Sequence, residues 1–322
     1  MQPIIFAPFI TDMQVYYDIN HLPQFQNAIV TIGTFDGVHI GHRQIIAQLK
    51  QEAENTGGET VIVTFHPHPR AVVNEGKKAV PVLTTLNEKI FLLEKYGIEH
   101  LIVIPFDELF SNQTAEEYIQ DFLYARLHPH TVIIGFDHRF GKGRTGNYRL
   151  LEEKGKALGF EVQEISEQLL NEIKISSTHI REALLHKELD KANDLLGYHY
   201  FFEGVVVNGN RLGRTLGYPT ANIEVQDAGK LIPADGIYIV EILLENERLQ
   251  GMMSIGFRPV VQGTHRTIEV NIFNFDRDIY GQTLKIIVKK FVREEQNFSG
   301  LPALVEQLAI DKKISLEFFK NN

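Results

Sequence analysis

Residues 28–43 read AIVTIGTFDGVHIGHR, and this stretch decides the fold. Residues 28–32, apolar apart from Thr31, run straight into a glycine-bearing turn, Gly33-Thr34-Phe35-Asp36-Gly37. A helical pattern follows from about Gly41 to Glu54. A helix start offers free backbone N–H groups and a positive dipole end to phosphates. Gly33 and Gly41 let the backbone come close to a ligand. His39 and His42, spaced His-x-Gly-His, can donate hydrogen bonds to phosphoryl oxygens as charge builds in a displacement. No covalent intermediate is needed.

The same alternation continues outward. Strands are expected at 60–65, 100–104, 131–135 and 160–165, with helices at 86–96, 114–127 and 147–158 between them. Five strands alternating with helices predict a parallel sheet covered on both faces, with ligands in the loops after the strands. Two short helices, 178–186 and 188–196, precede a change of character. Strand-like runs at 204–207, 237–245, 249–255, 267–275 and 284–292 then predict a small antiparallel barrel. Leu304, Leu308 and Leu316 predict a closing helix over 301–319. The boundary is expected within 182–203 and is drawn as 1–186 and 187–322.

A chain of 322 residues, 43% hydrophobic and 23% charged, suits two folded domains. No apolar run reaches the roughly 18 residues of a membrane span. The opening residues lack a basic stretch, so a cytoplasmic location is the expectation. With no cysteine, disulfides, thiolate zinc sites and a thiol nucleophile are excluded. The net charge of −9 argues against bulk nucleic-acid binding but leaves room for small anions at local basic loops. Neither a nucleic acid nor a membrane is therefore an expected partner, and the oligomeric state is left open.

Four further segments carry chemistry. Phe65-His66-Pro67-His68-Pro69 is a proline-fixed loop that could present His68 to phosphate. Residues 135–146, GFDHRFGKGRTG, contain a G-x-G-x-x-G pattern at Gly141, Gly143 and Gly146. A dinucleotide fingerprint should begin at the strand's end, and a polar Asp137-His138-Arg139 stretch intervenes here, so a basic nucleotide loop is read instead. Ser177 or Thr178 is expected to cap a helix start, with Arg181 one turn on to hold a phosphate. Residues 204–223, GVVVNGNRLGRTLGYPTANI, place Gly209, Gly213 and Gly217 in an open loop beside Arg214. Thr220 and Asn222, two residues apart, share a face if extended and suit Mg²⁺ together with substrate phosphates. In the strand 267–275, Glu269 and Asn271 face one way, and Glu269 could act as a general base.

The string GTFDGVHIGHR resembles the flavin branch of the His-x-Gly-His nucleotidyltransferases, the bifunctional riboflavin kinase/FMN adenylyltransferase family. FHPHP, the 135–141 stretch, SSTHIR, GRTLGYPTAN and Ile268-Glu269-Val270 all match its motifs, so the likeness spans nearly the whole chain. It implies a Rossmann-like α/β nucleotidyltransferase domain followed by a small antiparallel β-barrel riboflavin kinase domain with a C-terminal helix. It also implies transfer of phosphate from ATP to riboflavin, and then adenylylation of FMN to FAD with release of pyrophosphate. By the resemblance, His39, His42, Arg181 and Glu269 are catalytic, and Thr220 and Asn222 are Mg²⁺ ligands. Gly33, Thr34, Phe35, Gly41, His68, Asp137, Arg139, Gly141, Ser177, Thr178, Gly209, Gly213, Arg214, Gly217, Arg277, Tyr280 and Arg293 are implied to bind ATP or flavin. His138, Val260 and Asn271 depart from the family's usual residues. Three other readings stay open here: an NAD-dependent oxidoreductase on the 141–146 glycines, a single-activity FMN adenylyltransferase with a flavin-binding barrel, and a non-catalytic sensor.

Overall fold

Strands covered by helices on both faces must be apolar throughout, and β2 (Ile29–Ile32) and β5 (Thr131–Gly135) are buried at every residue. The computed structural model describes residues 13–67, 80–135, 138–209, 212–260 and 263–321. Contacts divide the chain into two units, Met1–Ser177 and Thr178–Asn322.

The first unit holds β1 (Gln14–Tyr16), β2, β3 (Thr60–His66), β4 (His100–Pro105), β5 and β6 (Glu161–Ile165). They form one parallel sheet in the order β1-β4-β3-β2-β5-β6. The chain leaves β2 towards β3 on one side and returns to β5 on the other. The carboxyl end of β2 is therefore the topological switch point, where open parallel sheets bind ligands. Helix α1 (Ile40–Thr56) follows that end. Helix α2 (Leu86–Lys95) opens with a reciprocal capping box between Thr85 and Glu88. A turn at Ala115–Glu117 continues as a π-helical stretch, Tyr118–Leu127. Helix α3 (Tyr148–Leu158) is capped by Asn147.

Two expectations are corrected here. The sheet has a sixth strand, β1, whose three half-exposed residues are too few to show a period. The helix expected to start at Ser177 or Thr178 instead runs as α4 (Glu167–Leu185). The run EQLLNEIKI at 167–175 is rich in helix formers and free of Gly and Pro, so the helix starts ten residues earlier. Ser177 and Thr178 are thus interior helix residues, not caps.

In the second unit, the last residues of α4 and α5 (Leu189–Leu196) lead into a closed antiparallel barrel. Its strands are β7 (Phe201–Val207), β8 (Ala221–Glu224), β9 (Gly236–Leu244), β10 (Glu247–Val260), β11 (Gly263–Ile272) and β12 (Thr283–Arg293). They pair around the ring in the order β10-β11-β8-β7-β12-β9. β8 was not foreseen as a strand. β11 begins and ends earlier than 267–275, because the chain turns at Asn274, whose φ of 53° suits an asparagine. Helix α6 (Leu301–Asn321) closes the chain.

Candidate active sites

Thr31 and Ile32 deliver the chain from β2 into a turn held by cross-links. Asp36 is buried, and its Oδ1 accepts the Leu83 and Thr84 N–H groups at 2.8 and 3.1 Å. Gly37 N–H donates to Thr84 Oγ1 at 3.0 Å. Phe35 and Val38 both adopt left-handed backbone, φ 47° and 35°, which costs energy for residues with a Cβ. Residues held there at a sheet switch point are a reason to look for a site. A Cβ on Gly33 would lie 3.1 Å from the Phe35 ring, so glycine makes room for that ring.

His39 precedes α1, and its side chain makes no cap bond to the helix start. Gly41, buried in the first turn, lies between the two imidazoles in sequence. The rings of His39 and His42 stack with centroids 3.9 Å apart, and the Phe35 ring lies 5.0 Å from His42. The two histidines foreseen as partners are therefore brought together. They are not open to solvent: His39 is 0% and His42 7% exposed. Ser177 Oγ of α4 sits 2.8 Å from His39 Nε2. His42 Nδ1 is buried without a hydrogen-bond partner. Desolvation first, then the charges of His39 and Lys89, hold the His42 pKa well below the usual histidine range, so the ring is neutral at pH 7.

Other foreseen residues of this unit spread out. Thr34 contributes its carbonyl, which accepts from Thr64 Oγ1 at 3.3 Å. Arg139 is exposed and donates to the carbonyl of His138 at 3.0 Å. The His138 ring packs 5.8 Å from Phe140. Gly141 serves close packing, since a Cβ there would meet Ala115 N at 2.7 Å. Thr178 is exposed on α4, and Arg181, one turn on from Ser177, belongs to the second unit. His68 and Asp137 lie outside the described residues.

In the barrel, register does the assembly. β11 pairs with β8 so that Glu269 stands opposite Asn222. Thr220, just before β8, donates from Oγ1 to Glu269 Oε2 at 3.2 Å. The proposed base and both proposed ligands are thereby gathered, as the sequence reading requires. Asn271 Nδ2 donates to the Pro219 carbonyl at 2.7 Å and pins the Thr220 turn. Gly209 has a steric reason: a Cβ would fall 2.1 Å from Asn222 Nδ2. Gly213 has another, with Tyr218 O 2.3 Å from a would-be Cβ, and Gly217 turns the chain at φ 80°.

Two cavities flank this group, and Thr220 lines both. One, of about 260 Å³, has Glu269 and Asn271 on one side and Met253, Phe298, Leu304 and Leu308 as apolar walls. The other, of about 480 Å³, is lined by Arg214, Asp276, Arg277, Asp278 and Tyr280, with Val270 and Ile272 from β11. Arg277 lies over the Phe275 ring, 4.7 Å from its centroid, and pairs with Glu247. Arg293 borders the smaller cavity but is held by Asp311, with Nε to Oδ1 at 2.9 Å and Nη2 to Oδ2 at 2.7 Å. Lys89, Asp311 and the Met253 and Phe298 walls escaped the sequence reading. The helix that carries Lys89 was expected at 86–96, but nothing in its sequence marks that lysine. Among the described residues no three His, Cys, Asp or Glu side chains gather as a metal cage.

Comparisons with known proteins agree with this division. The FAD synthetase family profile matches residues 22–179, and the riboflavin kinase profile matches 196–319. A bifunctional riboflavin kinase/FMN adenylyltransferase of Bacillus subtilis (strain 168) is 35% identical, covering 94% of this chain and 96% of its own. Its Escherichia coli (strain K12) counterpart is likewise 35% identical, with the same coverage. A solved structure described as a macrolide-efflux protein from Streptococcus pneumoniae superposes with a TM-score of 0.81 at 29% identity, covering 94% of this chain and 98% of that one. No helix among the described residues is long and apolar enough to cross a membrane.

Proposed function

The chain belongs to the bifunctional riboflavin kinase/FMN adenylyltransferase family, and on that premise we propose how its residues share the two reactions. It is a transferase of FAD biosynthesis that uses ATP as co-substrate, first to phosphorylate riboflavin to FMN and then to adenylylate FMN to FAD. Phosphoryl transfer falls to residues 187–322 and adenylyl transfer to 1–186.

The observation that carries the kinase assignment is the Glu269–Thr220–Asn222 group between the two cavities. The smaller cavity takes the planar flavin ring and the larger one the nucleotide beside Arg214; Arg277 and Tyr280, which the sequence likeness sets in a flavin-side flap, border the larger one. Glu269 receives the ribityl hydroxyl proton as that oxygen attacks the γ-phosphorus and the bond to ADP breaks. A hydroxyl and an amide oxygen beside a carboxylate fit Mg²⁺, which prefers oxygen donors and keeps phosphates and waters in its shell. Thr220 and Asn222 would hold it, and when bound it offsets negative charge on the phosphates. Arg293 holds α6 through Asp311 while it borders the smaller cavity, where it can also meet the ligand.

In the first unit, an oxygen of the FMN phosphate attacks the α-phosphorus of ATP, and pyrophosphate leaves. His39 and His42 donate hydrogen bonds to phosphoryl oxygens as the charge redistributes. Ser177 Oγ, 2.8 Å from His39 Nε2, marks where such an oxygen sits, so triphosphate binding exchanges one oxygen for another. Arg181 is retained as a phosphate-binding cation of this step. The test supplies riboflavin, ATP and Mg²⁺ and resolves the flavins over time. FMN should appear first and FAD after it. FAD made only from supplied FMN would reduce the barrel to a flavin-binding unit.

A further inference from the structure

The first unit buries a positive charge beside the turn that follows β2. Lys89, on the first turns of α2, is 6% exposed, and its Nζ donates to Thr64 Oγ1 at 3.0 Å. Thr64 is itself fully buried and donates to the carbonyl of Thr34, inside the turn that leads to His39. Asp36 of the same turn acts on the amine as a counter-charge, and Lys89 in turn acts on His42. The neighbouring Glu88 is also buried, and its Oε2 accepts from the Thr85 N–H at 2.9 Å. The groups that interact with Lys89 are Thr64 from β3, Asp36 from the turn after β2 and His42 from α1, with the buried Glu88 beside it on α2.

Desolvation pulls the Lys89 pKa down to about 8, with Asp36 working against it. At neutral pH the amine is still mostly charged, so the fold tolerates a buried ammonium that an apolar side chain would avoid. Costly buried charges beside a ligand loop mark functional positions more often than structural ones.

We propose that Lys89 is a positioning residue for adenylyl transfer: its ammonium ties the Gly33–His39 turn through the Thr64 hydroxyl. This rests on the adenylyltransferase reading above. The charge also acts on His42, since a second proton on that ring meets a like charge nearby.

The test uses the full chain, with FMN, ATP and Mg²⁺, and follows FAD formation from pH 5 to 9.5. The parent protein should lose rate above about pH 8, where Lys89 deprotonates. Lys89→Met should lower kcat roughly tenfold or more, with little change in KM for ATP, and should abolish that basic limb. Its acidic limb should move up in pH as His42 loses its like-charged neighbour. Lys89→Arg keeps the charge to high pH, so its basic limb should also vanish. The riboflavin kinase profile serves as internal control and should not move in either variant. A Lys89→Met profile superimposable on the parent's overturns the proposal. So does a Lys89→Arg profile that retains the break near pH 8, which decides the matter even if the methionine variant fails to fold. A parent protein that makes no FAD from FMN refutes the adenylyltransferase reading itself, a distinct result.

Discussion

Replacing Asp311 with asparagine tests the anchoring of α6 on the barrel. Asp311 is 0% exposed and accepts four side-chain bonds, three from Arg293 and one from Gln307 Nε2 at 2.9 Å. Arg293 is itself largely buried. Asparagine keeps the shape but turns an NH₂ towards the guanidinium and leaves its charge without a buried counter-ion. Breaking one side of such a pair costs about 3–5 kcal/mol. For a unit of this size each kcal/mol moves Tm by about 2–4 °C, so a fall of roughly 6–20 °C is expected. Scanning calorimetry of the full chain measures it, and survival of riboflavin phosphorylation after heating identifies which transition belongs to the barrel. The double change Arg293→Met with Asp311→Leu should recover most of the loss, because an apolar pair has no charge to strand. An Asp311→Asn protein that melts within about 1 °C of the parent would falsify the anchoring role.

Glu269→Gln should cut FMN formation by about 10²- to 10⁴-fold and leave FAD synthesis from supplied FMN intact; equal damage to both steps, read by chromatography of the flavins, would contradict the division of labour. Gly209→Ala places a methyl 2.1 Å from Asn222 Nδ2, so the amide must move; kinase activity should then need more Mg²⁺, and an unchanged Mg²⁺ titration would count against Asn222 as a ligand. The neutral, buried His42 sets a pH dependence of stability. Its folded pKa lies below the unfolded value of about 6.5, so its contribution is present above that pH and is lost as pH falls through it. Urea denaturation of the first unit should therefore weaken on acidification below about pH 6.5, and His42→Gln should flatten that slope.

The α/β half was legible because four of its strands are largely apolar runs, and burial on both faces leaves few alternatives for a sequence such as TVIVTF at 60–65. β1 escaped because three residues carry no period. The barrel could be read from strand spacing, but β8 was hidden within a glycine-rich loop. Its strand state comes from pairing with β7 and β11, not from its own residues. Thr220, Asn222 and Glu269 could be named from their chemistry, yet the fact that they meet depends on a register no single strand encodes. At SSTHIR the local signal misled: a helix cap and a helix interior use the same Ser and Thr, and only the preceding EQLLNEIKI decides between them. Lys89 was invisible because an isolated Lys on a helix is ordinarily a solvated one.

The hydrogen-bonded ring of the barrel has no free rim, and this bears on how the second unit can evolve. β11 sends odd-numbered side chains, Glu269 and Asn271, to one chamber and the even-numbered Val270 and Ile272 to the other. In an open sheet, a lost or gained residue can be absorbed by sliding a terminal strand. Here both neighbours of β11 are already committed, so any such indel swaps polar and oily linings at once. Length variation is left to the connections between strands, such as the hairpin tip at 245–246, while the wall dividing the chambers can change only residue for residue.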